Sequence, residues 1–178
     1  MSAKQWGFVF KQENCIQCHG CEVACKTWRG IDLGVNWRRV INIWNGEYPH
    51  ITCSSTSISC MHCSEPYCID VCSTGAISKR DTDGIVLVDT KKCVGCQACY
   101  DACPYKVPQF GVDGTMQKCD MCLSGKQDAP NFAQNAPPCV GTCPTKALVL
   151  KKMPVSEKKE MEKAMKVFFN KSNECRYV

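Results

Sequence analysis

Sixteen of the eighteen cysteines in this 178-residue chain fall into four quartets of nearly one spacing, and no other feature constrains the fold as much. They are Cys15, Cys18, Cys21 and Cys25; Cys60, Cys63, Cys68 and Cys72; Cys93, Cys96, Cys99 and Cys103; Cys119, Cys122, Cys139 and Cys143. The first and third read C-x2-C-x2-C-x3-C without deviation. The second widens the middle gap to four residues and the fourth widens it to sixteen. The echo runs on past the last cysteine, as Cys72-Ser-Thr-Gly-Ala-Ile and Cys143-Pro-Thr-Lys-Ala-Leu show. Cys53 and Cys175 stand outside the scheme.

A C-x2-C-x2-C-x3-C-P run is the bacterial ferredoxin arrangement, in which three thiolates hold one cubane and the fourth reaches a neighbouring one. Sixteen such cysteines imply four [4Fe-4S] clusters. The competing chemistries fit less well. Nine disulfides are arithmetically possible, but disulfides this dense belong to exported chains, and the start Met1-Ser2-Ala3-Lys4-Gln5-Trp6 has no apolar signal region. Zinc knuckles come as separated C-x2-C pairs around one tetrahedral ion, not as four cysteines crowded into eleven residues. Radical chemistry needs an iron with no fourth cysteine, and every quartet is full. The expected compartment is therefore the cytoplasm, where thiols stay reduced.

Composition agrees with a metal-crosslinked core. Leu, Ile, Val and Phe make up only about a fifth of the chain, close to the level of disordered proteins, so closing a core calls for crosslinks. No apolar run approaches the roughly 20 residues of a membrane helix. The formal charge of +5 is scattered over Lys79, Arg80, Lys91, Lys92, Lys106, Lys118, Lys146, Lys151 and Lys152, which gives no stripe for nucleic acid. Four oxidised cubanes with their thiolates carry about −2 each, which turns the total to about −3. Buried anions of that size call for nearby cations and donors.

Elements can be read around the quartets. Residues 6–10 and 147–150 are expected as strands. So is 84–89, following the turn signal Asp81-Thr-Asp-Gly84. Each fourth cysteine is expected to open a short helix or turn, with Pro104 and Pro144 fixing the chain as it leaves. Residues 26–59 read as an insertion holding Trp28, Trp37, Trp44 and Tyr48 with Arg29, Arg38 and Arg39. These are residue types enriched at binding hot spots, and they serve equally well as shields between clusters and water. Residues 123–138 form a polar loop suited to facing a partner. After Pro154, Ser156 is placed to cap a helix, with Glu157 in its first turn. Met161, Ala164, Met165, Phe168 and Phe169 then share one apolar face, for docking on the chain itself or on another subunit.

The chain has no Gly-rich nucleotide fingerprint, no phosphate loop and no spare acid–base pair, so no catalytic residue is assigned. His19 and His62 lie inside cysteine loops, where each is either a donor to sulfur or a packing residue. Neither replaces a cysteine as in Rieske centres, because the quartets are complete.

The whole pattern resembles the four-cluster iron–sulfur subunit of dimethyl sulfoxide reductase-type oxidoreductases over residues 6–150. Cys60-Met-His-Cys-Ser-Glu-Pro-Tyr-Cys-Ile-Asp-Val-Cys72 and Cys93-Val-Gly-Cys-Gln-Ala-Cys-Tyr-Asp-Ala-Cys-Pro-Tyr105 carry the likeness. It implies an α+β fold of tandem ferredoxin-like modules, two units of two clusters each, with inserted loops and a C-terminal amphipathic helix. Residues 1–25 with 104–150 would form one module, 60–103 the other, 26–59 the insertion and 151–178 the tail. The family pairs first quartet with fourth and second with third. Carried over, Cys15, Cys18, Cys21 and Cys143 hold one cluster, and Cys119, Cys122, Cys139 and Cys25 its neighbour. Cys60, Cys63, Cys68 and Cys103 hold a third, and Cys93, Cys96, Cys99 and Cys72 the fourth.

The resemblance further implies a wire between a large molybdenum- or tungsten-pterin catalytic subunit and an electron donor or acceptor. A membrane-bound arrangement would need a third, anchoring chain, and some family members are exported with a signal-bearing partner. Ser73 departs from the usual proline and is expected to loosen one exit turn. A free polyferredoxin and a hydrogenase-complex subunit remain the other readings of the residues.

Overall fold

The strand expected over 6–10 forms as β1 (Lys4–Phe10), and its partner lies at the far end of the sequence. In the computed structural model, which describes residues 4–123 and 136–174 apart from the side chains of 168 and 170–174, β1 runs antiparallel to β8 (Leu148–Pro154), with Phe10 opposite Leu148 and Trp6 opposite Lys152. Phe8, Leu148 and Met153 are buried, so the pairing joins the segment before the first quartet to the segment after the last. A short second ribbon does the same for the middle quartets. There β4 (Ile77–Lys79) follows the second and pairs with β5 (Val86–Val88) before the third. The turn between them closes with Gly84 N–H donating to the Arg80 carbonyl at 2.9 Å. The strand expected over 84–89 is thus shorter, its ends spent on that turn and on Asp89.

Two hairpins were not anticipated. β2 (Arg39–Asn45) pairs with β3 (Thr52–Ile58) inside the insertion. β3 reads Thr-Cys-Ser-Ser-Thr-Ser-Ile and has no apolar alternation, yet Ser55, Thr56 and Ser57 are buried. Ser55 donates to Asn42 Oδ1 at 2.7 Å, and Ser57 accepts from Arg38 Nη1 at 3.0 Å. At the tip, Gly46 has φ +92°, and a Cβ there would collide with the His50 carbonyl, so no other residue fits. β6 (Gln109–Phe110) and β7 (Met116–Gln117) form the last ribbon, around Asp113-Gly114.

The mixed α+β class expected from sequence is what forms: among the described residues, four two-stranded ribbons with short helices α1 (Gly20–Arg29), α2 (Tyr67–Asp70), α3 (Ala98–Ala102) and α4 (Pro138–Gly141) at the quartets. Helices α1 and α4 pack together, and so do α2 and α3. The largest core cluster joins Phe8, Ile31, Val35, Ile85, Met121 and Leu148 to Cys25, Cys119 and Cys139, so cysteines stand where a richer sequence would place aliphatics.

The final helix, α5 (Val155–Glu174), docks on its own chain against β1 and β8. Met161, Met165 and Phe169 pack on a cluster of Ile58, Met61, Tyr105 and Val107, with Phe169 edge-on to Tyr105 at 6.1 Å. Helix α5 starts at Val155, so Ser156 lies inside the first turn and not ahead of it. Its lysine face is not wholly solvated. Lys158 is buried and donates to the Trp6 carbonyl at 2.8 Å, to Gln5 Oε1 at 3.3 Å and to the His62 carbonyl. Among the described residues, no helix is long and apolar enough to cross a membrane. Most of the polar loop 123–138, and Cys175, lie outside the described residues.

Candidate metal centres

The four cysteine loops share a backbone device. The residue before each second cysteine takes a left-handed conformation: Gln17 (φ 60°), His62 (48°), Gly95 (70°) and Met121 (55°). Left-handed residues cost ordinary side chains energy. Three of the four pay that cost, Gly95 being exempt, and the equivalent placement shows one loop geometry used four times. A left-handed residue set beside right-handed ones turns successive amides inward, the concave nest that anionic iron–sulfur cores occupy; in the fourth loop Cys122 is left-handed as well (φ 58°).

Helices α2, α3 and α4 carry the third cysteine, not the fourth, whereas α1 carries both Cys21 and Cys25. Cys68, Cys99 and Cys139 sit in α2, α3 and α4, and Cys72, Cys103 and Cys143 follow just beyond the helix ends. Proline explains two of these stops, because a residue before proline avoids the helical region. Cys25 has Lys26 after it, so α1 continues to Arg29 and ends at Gly30 with φ +57°. Each of the three exits closes one turn: Gly75 N–H to Cys72 carbonyl at 3.1 Å, Lys106 to Cys103 at 3.1 Å and Lys146 to Cys143 at 3.2 Å. Ser73 therefore does not loosen its turn. The left-handed third residue, here Gly75, sets the turn and proline is dispensable.

These exits aim donors at sulfur. Burial opposes ionisation of Cys72. The Thr74 hydroxyl and the amides of Ala76, Ile77 and Thr74 outweigh it and hold the thiol below its ordinary value. Cys143 shows the same balance, burial against the Leu148 amide, the Thr145 hydroxyl and the amides of Ala147 and Thr145. At six other cysteines burial wins. It pushes the thiols of Cys25 and Cys68 up to about 12, those of Cys99 and Cys122 up to about 11, and Cys119 and Cys63 up as well. Thiols held that high ionise only when a metal takes the proton's place.

The fold gathers cysteines across quartets. Cys15, Cys18, Cys21 and Cys143 line one open hollow with Phe10, His19 and Ser57. Cys72, Cys93, Cys96 and Cys99 line another with Ile77, Val88 and Met116. Cys63 lies within electrostatic reach of Cys60, Cys103 and Cys68, and Cys25 of Cys139 and Cys122. Among the described residues, no three His, Cys, Asp or Glu side chains gather as tightly as one ion demands. Cys18 and Cys96 are exposed, whereas Cys25, Cys99, Cys119 and Cys139 are buried. Cys53 is apart, 3.6 Å from Gln17 Oε1.

The histidines divide. His19 Nδ1 pairs with Glu22 Oε2 at 3.1 Å at the rim of the first hollow. His62 is buried, accepts the Val86 amide on Nδ1 at 3.0 Å and so carries its proton on Nε2, which has no partner among the described residues. Burial and then Lys118, Lys158 and Lys79 hold it well below the usual imidazole range.

Of the cations named beside the quartets, Lys118 and Lys79 turn inward; the burial of Arg38 and Lys158 had no signal in the sequence. Lys118 is buried and donates to the Val86 carbonyl and to the Cys119 carbonyl at 3.2 Å. Lys79 donates to the carbonyls of Cys63 and Ser64, each at 2.8 Å. The arginines of the insertion turn inward. Arg29 pairs with Asp120 Oδ2 at 2.9 Å and stacks on Trp37 at 5.0 Å. Arg39 donates to the carbonyls of Tyr105 and Lys106, and Arg38 is buried. Trp28, Trp44 and Tyr48 are exposed, whereas Trp37 packs against the core cluster that holds Cys25, Cys119 and Cys139.

Curled amide nests, cysteine-ringed hollows and buried cations beside them define an iron–sulfur protein, and residues 51–153 match the 4Fe-4S dicluster domain family. The relatives narrow this. The sequence is 39% identical over 155 residues to a chain of the anaerobic dimethyl sulfoxide reductase of Haemophilus influenzae, covering 82% of this protein and 73% of the relative. It is 39% identical over 160 residues to the formate dehydrogenase iron-sulfur subunit of Wolinella succinogenes, covering 80% and 78%. A subunit of the sulfite dehydrogenase of Allochromatium vinosum is 34% identical over 160 residues, covering 80% and 67%. The protein belongs to the family of iron–sulfur electron-transfer subunits of dimethyl sulfoxide reductase-type oxidoreductases, whose members are not the catalytic chains.

Proposed function

We propose that this chain holds four [4Fe-4S] clusters in two adjoining pairs and conducts electrons between a large molybdenum- or tungsten-pterin catalytic subunit and a further donor, acceptor or membrane-anchor subunit. The single observation that carries the reading is the crossing of quartets: Cys143 shares a hollow with Cys15, Cys18 and Cys21, and Cys72 shares one with Cys93, Cys96 and Cys99. It supports the two remaining sets, Cys119, Cys122, Cys139 with Cys25, and Cys60, Cys63, Cys68 with Cys103. The β1–β8 and β4–β5 ribbons support two ferredoxin-like modules, one from residues 1–25 with 104–150 and one from 60–103. The reducing cytoplasm, which keeps sixteen thiols available, is the compartment that suits the reading.

When bound, each cubane accepts and releases one electron with little change of shape. The residues of this chain do the rest. The exit-turn amides and the hydroxyls of Thr74 and Thr145 donate to sulfur and steady the extra negative charge. Buried Lys118 lies in the field of Cys68 and offsets part of that charge. Sulfur-directed hydrogen bonds and nearby charge are what set a cluster's potential. The exposed Cys18 and Cys96 loops, flanked by exposed Ile16 and Val94, bring the two outer sites to the surface, where partners can approach.

The test is to purify the native complex without oxygen through a tag on this chain and to measure its metals and polypeptides. About sixteen irons per copy from this chain, with molybdenum or tungsten and a large co-purifying chain, supports the proposal. Iron alone with no partner makes it a free polyferredoxin or a hydrogenase accessory. Zinc in place of iron overturns it.

A further inference from the structure

Arg38 is 2% exposed, and its guanidinium cannot shed its proton in a protein. Burying such a charge is costly unless an anion compensates. Among the described residues, no carboxylate lies within ion-pair distance of it. Its hydrogen bonds go to neutral hydroxyls, from Nη1 to Ser57 Oγ at 3.0 Å and from Nη2 to Ser59 Oγ at 2.9 Å. The ring of Phe8, 4.4 Å away, covers one face. The negative charge within its reach is sulfur: burial opposes the cation, and the thiolates of Cys139, Cys119, Cys21 and Cys25 outweigh it. Three of these belong to one proposed ligand set and Cys21 to the neighbouring set.

Ser57 makes the contact directional. Its oxygen accepts from Arg38, so its own proton is free, and Cys21 Sγ lies 3.4 Å away. A thiolate cannot donate, so the hydroxyl does. Arg38 thus acts on the Cys119/Cys122/Cys139/Cys25 site through its field and on the Cys15/Cys18/Cys21/Cys143 site through Ser57.

We infer that Arg38 is the shared countercharge of these two clusters: a positioning residue that raises both their reduction potentials. Reduction adds one electron to a cluster core and makes or breaks no bond. The charge it adds is therefore stabilised by a cation already in place, with no proton uptake. The inference rests on the ligand sets proposed above.

The experiment is an EPR-monitored redox titration of the purified holo-complex carrying Arg38→Gln, Arg38→Lys or Ser57→Ala. Signals are assigned with Cys18→Ser and Cys96→Ser, each of which alters one outer cluster. With Arg38→Gln, the reduced-to-oxidised ratio of two clusters at fixed potential falls at least tenfold, about 59 mV for one electron, and the other two stay put. Arg38→Lys recovers more than half of that shift. Ser57→Ala lowers only the cluster bound by Cys21. Loaded Arg38→Gln complex with unmoved midpoints, or with all four moved alike, overturns the inference. Should Arg38→Gln fail to load iron, Ser57→Ala decides: one lowered midpoint supports the inference and four unchanged midpoints refute it. Fewer than four clusters in the unaltered complex would instead refute the ligand sets.

Discussion

Arg29 ties the 26–59 insertion to the loop that carries Cys119 and Cys122, and cutting that tie has a calculable cost. The Arg29–Asp120 pair is 2.9 Å long, with side chains only 12% and 14% exposed. Exposed pairs contribute about 0–1 kcal/mol, and removing one partner of a fully buried pair costs about 3–5 kcal/mol. At this burial the coupling is about 2 kcal/mol, and loss of the stack on Trp37 adds about 0.5–1 kcal/mol. Arg29→Ala removes both. Asp120→Asn removes only the charge, because the asparagine oxygen can still accept the Cys122 amide that Asp120 Oδ1 accepts at 2.9 Å.

The assay is the rate at which the complex bleaches in the visible in guanidinium without oxygen, with the double variant closing the cycle. If the contact is lost before the barrier, about 2 kcal/mol is roughly a 30-fold coupling in rate, at about 1.4 kcal/mol per factor of ten. A coupling below about twofold would refute the claim that this pair holds the insertion against the cysteine loop.

Three further outcomes follow from the same geometry. Ile85 is 0% exposed in the largest core cluster, so Ile85→Ala should destabilise by about 2–5 kcal/mol, seen as a lower bleaching midpoint in guanidinium; a shift of under about 1 kcal/mol contradicts the packing. Gly95 has φ +70°, and a Cβ there would sit 2.5 Å from the Gly114 carbonyl oxygen, so Gly95→Ala should cost one cluster, about four irons per chain, by iron analysis. Full iron would show that the loop yields easily. Buried thiols raised to about 11 or 12 must lose protons to bind iron, so reconstitution of the apo-chain should release protons and proceed further as pH rises from about 7 to 9. A pH-independent yield would contradict the burial.

The cysteine quartets, the outer strands and the apolar face of α5 were legible because each signal is local. Spacing, β-branched runs and a 3.6-residue period need only neighbours in sequence. The hairpin of β2 and β3 escaped because Ser55, Thr56 and Ser57 look like a solvated loop, and only partners such as Asn42 and Arg38 make them a buried strand. The β6–β7 ribbon did have a signal, Asp113-Gly114, which is a hairpin turn pair. Arg38 and Lys158 read as surface charge because the groups they bond, the Ser57 and Ser59 hydroxyls and the Trp6 and His62 carbonyls, come from distant parts of the chain. The same physics corrected the insertion: its arginines bond inward, while Trp28, Trp44 and Tyr48 stay on the surface.

The central claim is that quartets exchange their fourth cysteine, and an iron-edge anomalous difference map of the holo-complex tests it most directly. The account predicts four cubane-shaped peaks, with Cys143 bound to the core held by Cys15, Cys18 and Cys21, and Cys25 bound to the core held by Cys119, Cys122 and Cys139. Four cores each held by one unbroken quartet, or peaks of single-ion size, would contradict it.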